Sequence, residues 1–187
     1  MSLKHGILGL LTYSPMSGYD LMKAFNQSLK FFWSAQTSQI YRELESLAAS
    51  GWIETAGESQ RGHMVKTVFA ITVGGRQELN RWLRDKLEKR ERERSPFLLR
   101  LFFGSFSGVD SIRELAESRK TQAENNAAEL RQVLETVIPA RRTQTKDELA
   151  AFCWSQAAEY GLAQFEAEIR WAEACLAKIG AYKGNNR

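Results

Sequence analysis

The hydrophobic pattern changes period at Gly51, from helical to alternating, and that change limits what the first half of the chain can become. Before it, "SQIYRELESLAASG" puts Ile40, Leu44 and Leu47, with Ala48 beside them, on one face of a helix at about 100° per residue. Gly51 then stands where a glycine ends a helix. After it, "WIETAG" and "VKTVFAIT" are rich in β-branched and aromatic residues and flank the polar run "ESQRGHM". This predicts a β-hairpin with a long polar tip around Gly62. The helix ahead of the hairpin opens on small polar residues. Ser38, Gln39 and Arg42 lie opposite its apolar face, and Tyr41 is at the border. A helix that only closed a core would need no such head.

Two helices precede this one. In "LKHGILGLLTYSP", Leu3, Ile7, Leu10 and Leu11 fall at helical spacing and Pro15 closes the segment. In "SGYDLMKAFNQSLKFFW", Ser17 and Asp20 form a capping box with Asp in place of Glu, and Leu21, Met22, Phe25 and Leu29 make the stripe. Thr72 is placed to cap a further helix, "GGRQELNRWLRDKL", with Leu79, Trp82, Leu83 and Leu87 inward.

Three helices, a hairpin and a helix make a winged helix-turn-helix over residues 1–86. In the DNA-binding form of that motif the second helix lies in the major groove, with its N-terminal residues on base edges. Ser38, Gln39 and Arg42 are then the reading residues, and Arg61, His63 and Lys66 of the wing reach backbone or minor groove. A solvated helix face beside an ordinary hairpin fits the same pattern, and the pattern alone does not choose.

Composition narrows the rest. Of 187 residues, 43% are hydrophobic and 26% charged, as in a soluble globular protein. The net charge of +4 permits an anionic partner without requiring one. The longest apolar run, "PFLLRLFFGSF", is too short for a bilayer and contains Arg100, so no membrane partner is expected. "MSLKHGILGLL" lacks a cleavage region, which points to the cytoplasm. Cys153 and Cys175 have no CxxC or Cys/His company, so they read as reduced thiols and no metal is expected. No GxSxG, P-loop, HExxH or GxGxxG is present. His5 reads as a packing residue and His63 as a polar wing tip, so neither catalysis nor a cofactor is expected.

Residues 85–95 are a mixed charge run that reads as a solvated helix end or linker. Beyond them the pattern is helical throughout, making the chain mainly α with an antiparallel helical domain over 96–182. After a short apolar helix comes a long one over 110–138. It carries Ile112, Leu115, Arg119, Ala123, Leu130, Val133 and Val137 along one side, and Pro139 ends it. Over 147–180, Phe165, Ile169, Ala172, Leu176 and Ile179 step by four and three, a heptad-like seam. A second copy of the chain would cover it, so these five residues are the expected dimer interface. Trp33, Trp52 and Trp82 are expected in the winged-helix core. Trp154 and Trp171 either pack a dimer or line a flat cavity for a small aromatic effector.

Taken together, "ILGLLTYSPMSGYDLMKAF", "SQIYRELESLAASGWIE" and "FAITVGGRQELNRWL" resemble the PadR family of transcriptional regulators over residues 3–83, and "LLRLFFG" resembles its helical C-terminal domain. The resemblance implies a homodimer joined through the C-terminal helices, a pseudo-palindromic double-stranded operator, and repression relieved by a small molecule. It places Gln39, Tyr41 and Arg42 on the reading helix, Tyr19 on the helix before it, and Arg61 and Lys66 on the wing. Val73 and Gly74 stand where the family often carries a charged pair. The competing reading is a winged-helix module that binds protein. Arg61, His63 and Lys66 favour DNA, since an acidic or apolar wing would favour protein.

Overall fold

The first element, α1 (Leu3–Leu11), turns Ile7, Leu8, Leu10 and Leu11 into the interior. The computed structural model describes residues 3–29, 31, 33, 35–61, 64–86 and 94–182; at 28, 58–61, 64 and 65 it describes the backbone alone. The chain divides into two compact units, Met1–Arg90 and Glu91–Arg187.

In the first unit, α1 is followed by β1 (Met16–Ser17), α2 (Gly18–Ser28), α3 (Thr37–Ala49), β2 (Ile53–Arg61), β3 (Met64–Ile71) and α4 (Val73–Arg84). The capping box at α2 is formed: Asp20 N–H donates to Ser17 Oγ at 3.2 Å, and Ser17 N–H donates to Asp20 Oδ2 at 3.3 Å. Leu21 and Phe25 of α2 and Ile40, Leu44 and Leu47 of α3 close on α1, with Ile53, Ile71 and Leu79 completing the core. Ala48 lies outside it, exposed. Gly51 takes φ 69°, the left-handed geometry that lets the chain leave α3 for the wing. Thr72 caps α4 by accepting from Gly75 N–H at 3.1 Å, while its own hydroxyl donates to the Gly51 carbonyl at 2.8 Å.

The sheet is antiparallel, in the order β1-β3-β2. Two expectations change here. The wing is not a two-stranded ribbon alone, because Met16 and Ser17 pair with Phe69 and Val68 on its inner edge. Nor is its tip long: "ESQR" pairs all the way to Arg61 opposite Met64. The run "ESQR" is polar throughout, so no apolar alternation marks this part of the strand in the sequence. A bulge at Thr55–Gly57 re-aims it, with Gly57 at φ 144°.

On α4 the inward stripe is narrower than expected. Leu79 is buried, but Trp82 is 37% exposed and Leu83 66%. Leu87 lies outside the described residues. Glu78, not Leu83, takes the inward position beside Leu79. Trp52 packs half-buried against the core, and Trp33 is exposed rather than internal.

The second unit has α5 (Pro96–Phe102), a 3-10 turn (Gly104–Phe106), α6 (Val109–Gln132), a π-helical turn (Val133–Val137), α7 (Ile138–Thr145) and α8 (Glu148–Gly180). Pro139 does not end the long helix. It sits in the first turn of α7, where the missing N–H is least harmful because the π turn has already broken the regular ladder. The helix stops at Lys146, in the left-handed conformation. α6 and α8 pack antiparallel through small residues: Ala116, Ala123 and Ala127 on one side, Ala158 and Ala172 on the other. Arg119–Glu168, Lys120–Glu173 and Arg131–Glu166 bridge the two helices. Among the described residues, no helix is long and apolar enough to cross a membrane.

Candidate nucleic-acid interface

The head of α3 is presented to solvent: Thr37, Ser38, Gln39, Tyr41 and Arg42 are all exposed. It is also anchored, because Thr37 Oγ1 donates to Met22 Sδ of α2 at 3.2 Å. Two of the expected reading side chains are partly engaged. Gln39 Oε1 accepts from the Gln36 backbone N–H at 2.9 Å, so its carboxamide carbonyl serves as a helix cap. Its NH₂ end and the second lone pair of the oxygen stay available to a further partner. Arg42 Nε donates to the Ser38 carbonyl at 3.4 Å, one turn back, and the residue is exposed.

Tyr41 is 47% exposed, and its ring edge rests on Gly18, the first residue of α2. The next residue, Tyr19, lies under Lys66 of β3, whose Nζ is 3.9 Å from the ring centroid. That cation–π contact holds the lysine beside the start of α2 instead of letting it range through solvent. The starts of α2 and α3 and the middle of β3 therefore meet on one surface, carrying Tyr19, Tyr41, Lys66, Ser38, Gln39 and Arg42. Of Arg61 the backbone alone is described, and His63 lies outside the described residues.

Between α1 and α4 is a polar cluster that the sequence did not announce. Glu78 of α4 is buried. It accepts from Arg81 Nη2 at 2.6 Å, contacts His5 Nε2 at 3.1 Å and pairs with Lys4 Nζ at 3.5 Å. Hydrogen bonding from Arg81 outweighs the cost of burial, and with help from His5 and Lys4 it brings the Glu78 carboxyl from 4.5 to about 2. His5 is thus a packing residue with a polar partner. A glutamate in an inward α4 position was the available signal.

In the C-terminal unit, Trp154 and Trp171 do not form one site. They lie seventeen residues apart on a single continuous helix, about 25 Å at 1.5 Å per residue, so no flat ligand can touch both within one chain. Trp171 meets Phe97 edge-to-face at 5.3 Å, and the Arg119 guanidinium lies 5.0 Å from the same Phe97 ring. Beside them run two adjoining open grooves of about 490 and 240 Å³, which share Arg100 and Leu115 as walls.

The expected dimer seam is also partly used within the chain. Ala172 is fully buried, at 0% exposure, so it is not available to a second copy. Phe165, Ile169, Leu176 and Ile179 are half-buried. The barest apolar side chains lie elsewhere, on α5 and the turn after it, with Phe102 80% and Phe106 91% exposed. Cys153 is exposed and Cys175 half-buried.

Comparison with known proteins agrees with this architecture. The model of the transcriptional regulator PadR-like family matches residues 7–81, and that of the virulence activator alpha C-terminal region matches residues 93–180. The chain is 36% identical over 128 residues to the negative transcriptional regulator PadR of Bacillus subtilis, spanning 68% of this chain and 69% of that protein. This chain belongs to the PadR-like family. It is therefore a DNA-binding transcriptional regulator, mainly α, with a winged helix-turn-helix followed by a helical domain. Among solved structures of PadR-like regulators, it is similar to Bacillus subtilis PadR in complex with operator DNA, with a TM-score of 0.78, 27% identity, and coverage of 96% of this chain and 99% of that one. It is likewise similar to the same Bacillus subtilis protein in complex with p-coumaric acid, at TM-score 0.72, 27% identity and the same two coverages.

Proposed function

We propose that this chain is a dimeric repressor that lays α3 in the major groove of a pseudo-palindromic operator and releases it when a small aromatic acid binds. The observation that carries the reading is the convergence of the α2 start, the α3 start and β3 on one exposed surface holding Tyr19, Tyr41 and Lys66. Within it Ser38, Gln39 and Arg42 face base edges, the latter two through the Gln39 NH₂ group and the Arg42 guanidinium. Tyr19, Tyr41, Lys66 and the wing residues Arg61 and His63 serve the phosphates. A salt-dependent gel shift on the DNA upstream of its own gene tests this. Binding that ignores salt, or none, would leave a winged-helix protein-interaction module.

Dimerisation is supported by the bare apolar side chains of α5 and the following turn, and by the half-buried row Phe165, Ile169, Leu176 and Ile179 on α8. Negative regulation is supported by the likeness to the Bacillus subtilis negative regulator. The aromatic-acid effector is supported by the likeness to the p-coumaric acid complex and by Arg100 beside two grooves bordered by Phe97 and Phe103. Trp171 touches Phe97, so filling these grooves should change its fluorescence. Titration with p-coumaric acid, repeated with Trp171→Phe and Trp154→Phe, checks this. Quenching carried by Trp154 alone would move the site away from α5.

A further inference from the structure

We infer that Gly18 is a positioning residue for DNA binding: by lacking a side chain it seats the Tyr41 ring on the first turn of α2, where the phenol hydroxyl donates to an operator phosphate. The inference rests on the DNA-binding reading above. A Cβ added at Gly18 would lie 2.6 Å from Tyr41 Cε1, 3.0 Å from Cζ and 3.2 Å from the hydroxyl oxygen. No real Cβ tolerates the first of these distances, so any other residue must push the ring away.

The backbone gives no reason for glycine here. Gly18 is not among the residues with positive φ, and it occupies the first position of a helix, which alanine accepts more readily. The buried Ser17 cap and its pairing with Val68 in the sheet hold the backbone in place, so the helix start cannot retreat to make room. Tyr41 is the side that yields. It is half exposed and stands one turn into α3, and a moved ring carries its hydroxyl with it.

Two consecutive residues of α2 thus set two groups of the interface: Gly18 places Tyr41 of α3, and Tyr19 places Lys66 of β3. Tyrosine hydroxyls are phosphate donors that fix orientation and carry no base information. Tyr41 is neutral, so its contact releases no counterion, and its loss leaves the salt dependence unchanged.

The test uses the full chain with Gly18→Ala, Tyr41→Ala and the double variant. The duplexes are one from upstream of its own gene and one scrambled, of equal length. In Gly18→Ala the ring resonances of Tyr41 should shift without DNA, and the thermal midpoint should hold or rise. Affinity for both duplexes should fall about tenfold, the loss of a hydrogen bond to a charged group, with the salt slope unchanged. Tyr41→Ala should show the same loss, and the double variant no more than either. The inference is overturned if Gly18→Ala binds as the parent does, or if Tyr41→Ala does, which decides the matter even if the alanine at 18 hampers folding. Losses that add in the double variant also overturn it. A parent chain that binds neither duplex removes the DNA-binding reading itself, and this inference with it; the ring shift seen without DNA separates that failure from the others.

Discussion

His5 lies flat on Trp82, ring centroids 4.5 Å apart and planes 9° from parallel, while its Nε2 meets Glu78 Oε1 at 3.1 Å. This pins α1 to α4 through a carboxylate whose pKa Arg81, His5 and Lys4 hold below the ordinary 4.5, at about 2. The folded value is depressed, so the stabilisation is complete above the ordinary carboxylate pKa of 4.5 and is lost as pH falls toward 2. Because Arg81 is largely exposed and its pairing is screened, the contribution is about 2 kcal/mol rather than the full shift. Glu78→Gln should lower stability by that amount at pH 7, and the gap to the parent should be largely closed by about pH 2.5. Urea unfolding at the two pH values measures it; a gap independent of pH would mean the carboxylate's charge is irrelevant.

Lys66→Ala should weaken binding to operator and unrelated DNA alike and lower the salt slope by about one unit. Tyr19→Ala frees the same lysine without removing its charge, so affinity should fall while the slope stays. Titrations at several salt concentrations separate the two.

On the proposed reading Gln39 has two roles that one substitution confuses. Gln39→Ala removes both the cap to Gln36 and the base-facing NH₂, and should cost about 1–3 kcal/mol on the operator. Gln39→Glu keeps an acceptor for the Gln36 N–H, as a capping box does, but has no donor for a base. It should melt like the parent and lose operator preference. If both variants keep the preference, base reading lies with Ser38 and Arg42.

A dimer that covers the α5 region makes Phe106 informative, since at 91% exposure it supports nothing within its own chain. Phe106→Asp should leave the unfolding transition of dilute protein intact while raising the dimer dissociation constant in sedimentation. Ile169→Glu with Leu176→Glu should also give monomers. If only the α8 pair dissociates the dimer, the interface lies along the predicted seam.

Gly75 carries the helix start of α4 against the Trp52 backbone, and a Cβ there would overlap the Trp52 carbonyl oxygen. Backbone cannot swing aside as a side chain does. Gly75→Ala should therefore destabilise the N-terminal unit by about 2–3 kcal/mol, read by denaturant unfolding. An unchanged midpoint would show that α4 can slide.

How much was legible follows from where periodicity survives. α1, α2 and α3 each bury one face, so Ile7, Leu21, Phe25, Ile40 and Leu44 announced themselves by spacing. The capping box of Ser17 and Asp20 and the cap Thr72 are local chemistry and could be read directly. The outer wing could not, because the run "ESQR" is polar throughout and shows no apolar alternation. Trp82 misled because an aromatic at helical spacing looks internal, whereas here it lids His5 at the rim. Pro139 misled because the π turn before it was not visible in the pattern. At the interface, spacing put Gln39 and Arg42 on the outer face of α3, but not the hydrogen bonds that occupy them, which depend on side-chain rotamers. Nor did it reveal that Tyr41 leans on Gly18, a contact between residues twenty-three positions apart.

The alanine contact between α6 and α8 has a mechanical consequence. A flat ring slipped between these helices would need to part them by roughly 3.5 Å, unseating Ala116, Ala123, Ala127, Ala158 and Ala172 together. Tilting the two helices together disturbs fewer of these contacts than parting them. Length lends leverage: α8 has 33 residues, about 50 Å, so a tilt of about 3° at one end displaces the other by about 2.5 Å. On the proposed reading, an effector at the side of this pair needs to do little more than tilt it.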